Sequence, residues 1–531
     1  MSTSTKLYQK LWNSADILRS NMDASEYKSY LLGLIFYKYL SDRELAYVGE
    51  LLDINEDNLE ILQDEYEAFY QTEDAKDFIE EIEFKFSYAI RPSLTYTNLI
   101  REIDEKTFEL DHLAQAFREI EQSSKAFENL FEDIDLYSKR LGQSLAKQNE
   151  TIAKVMKELA DLDLSKYSGD VLGDVYEYMI GTFATESGKK AGEFYTPQAV
   201  SKLMAKIAMA GKEDIKGFTV YDPTMGSGSL LLNPRKFSNE KTSIRYFGQE
   251  KNNSTYNLAR MNMILHSVPL SYQSLSYGDT LADDWPTDEP TTFDAVLMNP
   301  PYSAKWSAAK GFLDDQRFAA YGILPPKSKA DMAFLLHGFY HLKDTGTMII
   351  VLPHGPLFRG GAEGKIRRKL LENGSIDGVI GLPANVFFNT SIPTILMILR
   401  KDKKDRSVFF IDAKDEFVKE GTQNNLSDEN IEKIFKTYME RADVEKFAHL
   451  ASFEEIAEND FNLNIPRYVD TFEEEEEIPL ADVAGDLKTI EESLGANKTK
   501  LSAILGQLVG TNEDANKDLE DFIKAFGENH D

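Results

Sequence analysis

The stretch Phe293-Asp-Ala-Val-Leu-Met-Asn-Pro-Pro-Tyr302 decides the fold. Its first six residues form a short apolar run, typical of a parallel strand that is buried on both faces. The two prolines that follow Asn299 end the strand, because each lacks an N–H and fixes φ. The sequence therefore predicts a stiff turn at the carboxyl end of a strand, where open α/β sheets bind their ligands.

The turn Asn299-Pro300-Pro301-Tyr302 carries groups that can activate a poor amine nucleophile. An exocyclic amine on a base is a poor nucleophile because its lone pair is delocalised into the ring. The Asn299 side-chain oxygen and the Pro300 carbonyl can accept both N–H hydrogens, which favours a pyramidal nitrogen aimed at an electrophilic methyl group. Tyr302 can stack on the base once the base is flipped out of the helix. A plain proline turn after a core strand is the alternative, and the upstream residues decide between the two.

Length and composition predict a soluble, cytoplasmic protein of two to four domains. The chain has 531 residues, of which 42% are hydrophobic and 28% charged, an ordinary globular balance. We find no long uncharged apolar run and no basic, then apolar, leader, so no membrane contact is expected. Cysteine is absent, which excludes disulfides, thiolate metal sites and cysteine nucleophiles. The 7 histidines show no pair at ligand spacing, so no metal is expected.

The net charge bears on nucleic-acid binding. With a formal net charge of −31, the chain is not expected to bind DNA tightly by itself, because nonspecific DNA affinity comes mostly from lysine and arginine contacts to phosphate. A local basic cleft remains compatible with this charge. We expect a more basic partner to supply much of the DNA affinity.

The chain divides into three predicted domains. Residues 1–165 show apolar positions at helical spacing and few strand signals, which indicates an all-α domain. Residues 166–470 mostly alternate strands with helices, which predicts a doubly wound, mainly parallel α/β sheet with its last strand antiparallel. Its predicted strands include 348–352 and 394–399, whereas residues 413–470 are predicted as helix and loop. Residues 471–531 combine an acidic linker with a helical tail. Within the tail, Leu487, Ile490, Leu494, Asn497, Leu501, Ile504 and Leu508 follow coiled-coil spacing. A partner helix is favoured over a helix that folds back on its own domain.

Three further strand ends carry acids. Asp222 ends the strand at 218–222 and opens the glycine-rich turn Pro223-Thr-Met-Gly-Ser-Gly228, where glycines allow close backbone approach to a ligand. Glu250 ends the next strand, where a carboxylate can accept both hydroxyls of a ribose. Asp279 follows a third short run and can accept from the amino group of an adenine. Each acid alone is an ordinary loop residue or cap. Together with Asn299 they predict one nucleoside-binding edge.

Two segments flank this edge. In Glu193-Phe-Tyr-Thr-Pro-Gln198, Thr196 is predicted to cap a helix with Pro197 at its first position, and the two aromatics are available to pack on a cofactor. The glycine-rich loop 358–365 precedes Arg367-Arg-Lys369 and can face nucleic acid or solvent.

These motifs resemble the modification (methyltransferase) subunit of type I restriction–modification systems, over nearly the whole chain. The resemblance is carried by Gly192-Glu-Phe-Tyr-Thr-Pro197, Asp222-Pro-Thr-Met-Gly-Ser-Gly228, Gly278-Asp279 and Asn299-Pro-Pro-Tyr302, in that order. It implies an S-adenosylmethionine-dependent methyltransferase fold and transfer of a methyl group to adenine N6 in double-stranded DNA. It also implies catalytic roles for Asn299, Pro300, Pro301 and Tyr302. The implied cofactor-lining residues are Glu193, Phe194, Tyr195, Thr196, Pro197, Gln198, Asp222, Met225, Gly226, Ser227, Gly228, Glu250 and Asp279.

The resemblance implies partners as well. A separate specificity subunit would read the DNA sequence, with two copies of this chain for each, and a restriction subunit would join the full complex. The acidic net charge and the lack of any base-reading segment agree with this division of labour.

Two alternatives remain open at this stage. The first is a methyltransferase that acts on the glutamine side-chain amide of a protein, because the same turn can activate that nitrogen. The second is an inactive methyltransferase scaffold that serves as an interaction subunit. The large helical domain and the acidic linker with its apolar seam argue against the first, and the four intact strand-end residues argue against the second.

Overall fold

The computed structural model describes residues 3–19, 22–186, 195–286, 290–387, 391–421, 423–471 and 480–528. Residues 1–470 form one compact unit and residues 471–531 a second. Two of the predicted cofactor residues, Glu193 and Phe194, lie outside the described residues, as does the glutamate run 473–477. The division of the first unit into domains at residue 165 stays a prediction.

The N-terminal part of the first unit is helical, as its apolar spacing predicts. Tyr37 and Tyr39 are buried in its core. Four apolar residues of a later helix, Leu258, Met261, Ile264 and Leu265, belong to the same core. The helices are α1 (Thr3–Arg19), α2 (Ala24–Leu51), α3 (Leu59–Tyr70), α4 (Ala75–Phe86), α5 (Tyr96–Glu105), α6 (Leu110–Ser123), α7 (Leu145–Leu159) and α8 (Gly169–Glu186).

A nine-stranded, mainly parallel sheet follows. Its strands are β1 (Thr219–Asp222), β2 (Arg245–Glu250), β3 (Gln273–Tyr277), β4 (Phe293–Met298), β5 (Leu342–Pro353), β6 (Ile376–Gly381), β7 (Thr394–Leu399), β8 (Val408–Asp412) and β11 (Ala448–Ala451). Their order across the sheet is β11-β8-β6-β7-β5-β4-β1-β2-β3. β7 runs antiparallel to both of its neighbours, and β11 is antiparallel to β8. The predicted fold class is confirmed.

The central strand β4 is buried on both faces, as its apolar run predicts. Ala295 and Leu297 pack into the core on one side of the sheet, whereas Val296 and Met298 pack into the core on the other. Helices cover both faces: α9 (Gln198–Met209), α10 (Ser229–Leu232), α11 (Asn253–Leu265), α12 (Thr280–Asp283), α13 (Gln316–Ala319), α14 (Asp331–Tyr340), α15 (Gly355–Phe358), α16 (Gly361–Glu372), α17 (Asp428–Glu440) and α18 (Phe453–Glu458).

The chain order creates a switch point beside β1. From β1 the chain proceeds to β2 and β3 on one side and then returns to β4 on the other side, so β1 pairs in parallel with both β2 and β4. The connections on the two sides therefore leave in opposite directions and open a crevice above the carboxyl ends of β1 and β4. Open α/β sheets bind ligands in this crevice.

Three expectations about the later chain are wrong. The region 413–470, predicted as helix and loop, contains the edge strand β11 and a separate hairpin of β9 (Val418–Glu420) and β10 (Gln423–Asn425). α16 begins at Gly361, so most of the segment 358–365 is helical and not a loop. Arg367 is buried and donates to three backbone carbonyls, so it supports the fold and does not face nucleic acid.

The second unit contains α19 (Leu480–Leu505) and α20 (Glu513–Glu528). The apolar residues at coiled-coil spacing on α19, including Leu487, Ile490 and Leu494, are exposed. Across the described residues of the whole chain, no helix combines the length and the apolar character needed to cross a bilayer.

Candidate active site

The four polar strand-end residues lie around one crevice at the switch point. Asp222 ends β1 and Glu250 ends β2, while Asp279 and Asn299 follow β3 and β4. A cavity of about 480 Å³ is lined by Glu250, Asp279 and Asn299, with the glycine turn on one side and Pro301 and Phe334 on another. A narrower recess, lined by Tyr195, Thr196, Asp222, Ser227 and Asn299 among others, adjoins it. Thr224, Gly226 and Asn299 border both spaces.

The glycine-rich turn is fixed to the end of β2 by backbone hydrogen bonds. The Met225 N–H donates to the Gln249 carbonyl at 2.9 Å, and the Gly226 N–H donates to Glu250 at 3.1 Å. Gly226 and Gly228 have φ of 55° and 84°, a region that side-chain-bearing residues disfavour. Gly226 therefore presents bare backbone to the crevice, whereas Gly228 packs beside Met263 and Ala259 of α11.

Asp222 is buried, and only one of its two carboxylate oxygens has a hydrogen-bond partner among the described residues. Its Oδ1 accepts from the Thr224 N–H at 2.9 Å and from the Thr224 hydroxyl at 3.3 Å. Among the described residues Oδ2 has no hydrogen-bond partner, although Asp222 is only 1% exposed and lines the recess. Burial, partly offset by Thr224, raises the pKa of Asp222 to about 8. A buried acceptor without a partner is destabilising, so this oxygen is arranged for a cationic or hydrogen-donating ligand.

Glu250 and Asp279 stand on the far side of the larger cavity. Glu250 accepts from the backbone N–H groups of Gly226 and Asn252, and burial raises its pKa. Asp279 caps α12 through Leu281 and accepts from the Lys251 ammonium at 2.6 Å. The Lys251 side chain is 76% exposed, so this ion pair lies where the cavity meets solvent.

The turn Asn299-Pro300-Pro301-Tyr302 holds the Asn299 amide between two hydroxyl groups. The Asn299 Nδ2 donates to Thr196 Oγ1 at 3.1 Å, and its Oδ1 accepts from the Tyr302 hydroxyl at 2.9 Å. Burial raises the pKa of Tyr302, so that hydroxyl stays protonated. The Tyr302 ring packs edge-to-face on Phe387, with 6.3 Å between ring centroids. The turn itself is held by Asp331, which accepts from the Ser303 N–H at 2.8 Å.

Not every predicted cofactor residue faces the crevice. Gln198 pairs with the buried Glu177 and accepts from Asn233 at 3.1 Å, so its side chain is directed into the helical core. Pro197, and not Thr196, stands at the N-cap position of α9, without a side-chain cap bond. The Thr196 hydroxyl is therefore available to Asn299. Sequence reasoning missed Lys251, Phe334 and Phe387, none of which carries a local motif.

A buried polar cluster lies beneath the crevice. Asp284, His337 and His341 come close enough together to hold a metal ion. The expectation that no two histidines stand at ligand spacing is therefore wrong, because His337 and His341 are four residues apart. The Arg317 guanidinium occupies this space instead, 3.1 Å from His337 Nδ1 and 3.4 Å from Asp284. The other ring nitrogen of His337 bonds to the Tyr221 hydroxyl, which in turn donates to Gln249 at 2.8 Å. The arrangement is a charge network that braces the ends of β1 and β2.

The sequence of the site-bearing region matches that of known proteins. Residues 167–477 match the family described as N-6 DNA Methylase. The chain belongs to this family. Residues 7–159 match the HsdM N-terminal domain. The family members transfer methyl groups to DNA, so the helical part and the sheet together form an N6 DNA methyltransferase.

Individual relatives agree with this assignment. The chain is 36% identical to the type I restriction enzyme MpnII methylase subunit of Mycoplasma pneumoniae, covering 94% of this chain and 95% of that protein. It is 32% identical to the MjaVIII methylase subunit of Methanocaldococcus jannaschii, over 91% and 81% of the two chains. A solved type I restriction–modification methyltransferase subunit from Streptococcus thermophilus superposes with a TM-score of 0.86 and 62% identity, over 88% of this chain and all of that one.

The relatives decide between the functions left open by the sequence. Curated proteins that match nearly the whole chain are methylase subunits of type I restriction enzymes. The predicted modification-subunit function of this N-6 DNA methylase is confirmed, in preference to a protein amide methyltransferase or an inactive scaffold.

Proposed function

We propose that the N-6 DNA methylase crevice binds S-adenosylmethionine across its two spaces and methylates an adenine flipped out of duplex DNA. The observation that supports this most directly is the position of Asn299, which borders both the larger cavity and the recess. When bound, S-adenosylmethionine supplies an electrophilic methyl group on a sulfonium. The chain's own residues must then bind it and present the amine.

The residues of the crevice fit this cofactor. Asp222 lines the recess, and its Oδ2, which has no partner among the described residues, suits the ammonium of the methionine part, because a buried acceptor gains most from a charged donor. Glu250 suits the ribose hydroxyls, and Asp279 suits the adenine amino group, on the wall of the larger cavity. The exposed backbone of the turn at Gly226 allows close approach. Tyr195, Thr196, Met225 and Ser227 complete the lining of the recess.

Asn299 and Pro300 are proposed to hold the target amine. The Asn299 amide oxygen now accepts from Tyr302, a position that an amine N–H can take over. A second acceptor at the Pro300 carbonyl favours a pyramidal nitrogen, which resembles the reacting geometry more than the flat ground state. Tyr302, supported by Phe387, offers a ring to stack on the flipped base. Pro301 stiffens the turn that presents all three groups.

Partners are proposed to supply sequence recognition. The net charge of −31 argues that this chain relies on another subunit for DNA affinity. We infer that the exposed apolar residues of α19 pack against a helix of the specificity subunit, with two copies of this chain for each specificity subunit. A restriction subunit completes the cleaving complex. This places the protein in the cytoplasm, where the DNA is.

The test is a methylation assay with base identification. The chain, its specificity subunit, a duplex and methyl-labelled cofactor are mixed, and the DNA is digested to nucleosides. We expect N6-methyladenine, and Asn299→Ala is expected to lower the rate by ~10²-fold or more while leaving cofactor binding intact. Asn239→Ala is the matched control, because this exposed amide bonds to Asp214 away from the crevice. Label in a protein band and none in DNA would overturn the proposal.

A further inference from the structure

The Asn299 amide is the central group of the site, and both of its ends are engaged. Its NH₂ donates to the Thr196 hydroxyl, and its oxygen accepts from the Tyr302 hydroxyl. Asn299 is 4% exposed and Thr196 7% exposed, so water has little access to either side chain. The two hydroxyls come from opposite directions along the chain: Tyr302 is three residues after Asn299, whereas Thr196 precedes it by 103.

The orientation of this amide decides whether it can act on an amine. A target NH₂ group offers only hydrogens, so it needs the amide oxygen facing it. An amide rotated by half a turn would place its own NH₂ against the substrate NH₂, and two donors would meet. Some partner must therefore hold the Asn299 nitrogen on the side away from the base.

Thr196 is placed to be that partner. It was expected to cap α9, but the N-cap position is occupied by Pro197 and no cap bond is made by a side chain there. The hydroxyl is directed to Asn299 instead, at 3.1 Å from Nδ2. The opposite hydroxyl, on Tyr302, belongs to the catalytic turn itself and lies on the side proposed for the flipped base.

We propose that Thr196 is a positioning residue, whose hydroxyl holds the Asn299 nitrogen so that the amide oxygen faces the target amine. The Tyr302 hydroxyl donates to that oxygen until the target amine replaces it as the donor. This inference rests on the proposed function. It differs from the role implied by family resemblance, in which Thr196 is a cofactor contact.

Removal of the Thr196 hydroxyl should slow methylation. Thr196→Val keeps the shape of the side chain but leaves a buried N–H of Asn299 without an acceptor, so the amide loses its preferred orientation. We expect the methylation rate to fall about tenfold.

The experiment compares Thr196→Val, Thr196→Ser and the parent in complex with the specificity subunit, by single-turnover methylation of a duplex. Cofactor affinity is measured by calorimetry on the same preparations, and thermal unfolding reports folding. The proposal expects a slow valine variant, a serine variant restored to near the parent rate, and cofactor affinity within twofold throughout. A valine variant at the parent rate, or a serine variant as slow as valine, would overturn it.

A third outcome separates the two roles of Thr196. If cofactor affinity falls in parallel with the rate in Thr196→Val, then Thr196 is a cofactor contact and the positioning role is wrong. The proposed function fails by a different signal, namely a parent complex that leaves no N6-methyladenine in DNA.

Discussion

Asp222→Asn is expected to make the protein more stable and worse at binding its cofactor. The carboxyl is buried, its Oδ1 is satisfied by Thr224, and among the described residues its Oδ2 has no partner. Asparagine has the same shape and can keep the oxygen that Thr224 contacts. It removes the need to bury an ionisable group in the recess.

The magnitude follows from the pKa of Asp222. Burial raises it to about 8 in the folded protein, against about 3.9 in an unfolded chain. Between these pH values the folded state binds one more proton than the unfolded state, so stability is highest at low pH and falls as pH rises toward 8. At about 1.4 kcal/mol per pH unit, the loss reaches roughly 4 kcal/mol at pH 7 and roughly 1.5 kcal/mol at pH 5. The Asp222→Asn variant has no ionisable group at this position, so it does not lose this stability.

Cofactor affinity, unlike stability, should rise with pH. A cationic ammonium needs the ionised carboxylate, so binding below pH 8 must release a proton from Asp222. We expect cofactor affinity of the parent to rise about tenfold per pH unit between pH 6 and 8. The asparagine variant should bind about 10- to 100-fold more weakly at pH 8 and show little pH dependence.

Two assays check this reasoning. Thermal unfolding at pH 5 and pH 7, without cofactor, should show an excess stability of Asp222→Asn that grows with pH. Calorimetry in buffers of different ionisation enthalpy should detect the proton released on cofactor binding to the parent. Asp214→Asn, at an exposed loop position, is the control. A variant no more stable than the parent at pH 7, together with unchanged cofactor affinity, would refute the role of Asp222.

Three further substitutions test other parts of the site. Lys251→Ala frees one oxygen of Asp279, so cofactor affinity by calorimetry should rise about two- to fivefold at low salt, with less gain at high salt. Asn424→Ala removes a hydrogen bond to the turn that precedes Phe387. Because Phe387 packs on Tyr302, the ring proposed to stack on the flipped base, the KM for DNA should rise several-fold while cofactor affinity is unchanged. Leu494→Asp places a charge in the exposed apolar row of α19, so co-purification with the specificity subunit should fail while cofactor affinity stays at the parent's value.

The strands that sequence reasoning placed well are those with burial on both faces and a sharp stop. The predicted bounds of β4 and β7 agree with the structure, because each strand is mostly apolar and ends sharply. β5 begins at Leu342, six residues before the predicted start at Met348, since Lys343 to Gly346 are not an apolar run. β11 and the β9–β10 hairpin were missed. An edge strand or an exposed hairpin buries too little side chain to leave a pattern in the sequence.

The site was predictable in outline because topology follows from chain order. Once parallel strands alternate with helices, their carboxyl ends share one edge, so Asp222, Glu250, Asp279 and Asn299 must be neighbours. The hydrogen-bond and ion-pair partners of these four side chains were not predictable. The bond from Asn299 to Thr196 spans 103 residues, and the ion pair of Asp279 with Lys251 depends on side-chain conformation.

The segment that carries Thr196 also connects catalysis to the helical part of the chain. The Tyr195 ring is buried against Gly181 of α8, where an added Cβ would come within 2.9 Å of the ring. Gln198, on the other side of Thr196, pairs with Glu177, also on α8. Thr196 is therefore held by α8 on both flanks and by Asn299 in front. Because a small shift of the hydroxyl would break a 3.1 Å bond, the packing of α8 sets the position of the catalytic amide. Helix α8 lies after the predicted boundary at residue 165 but packs in the same hydrophobic core as the N-terminal helices, so it connects those helices to the active site.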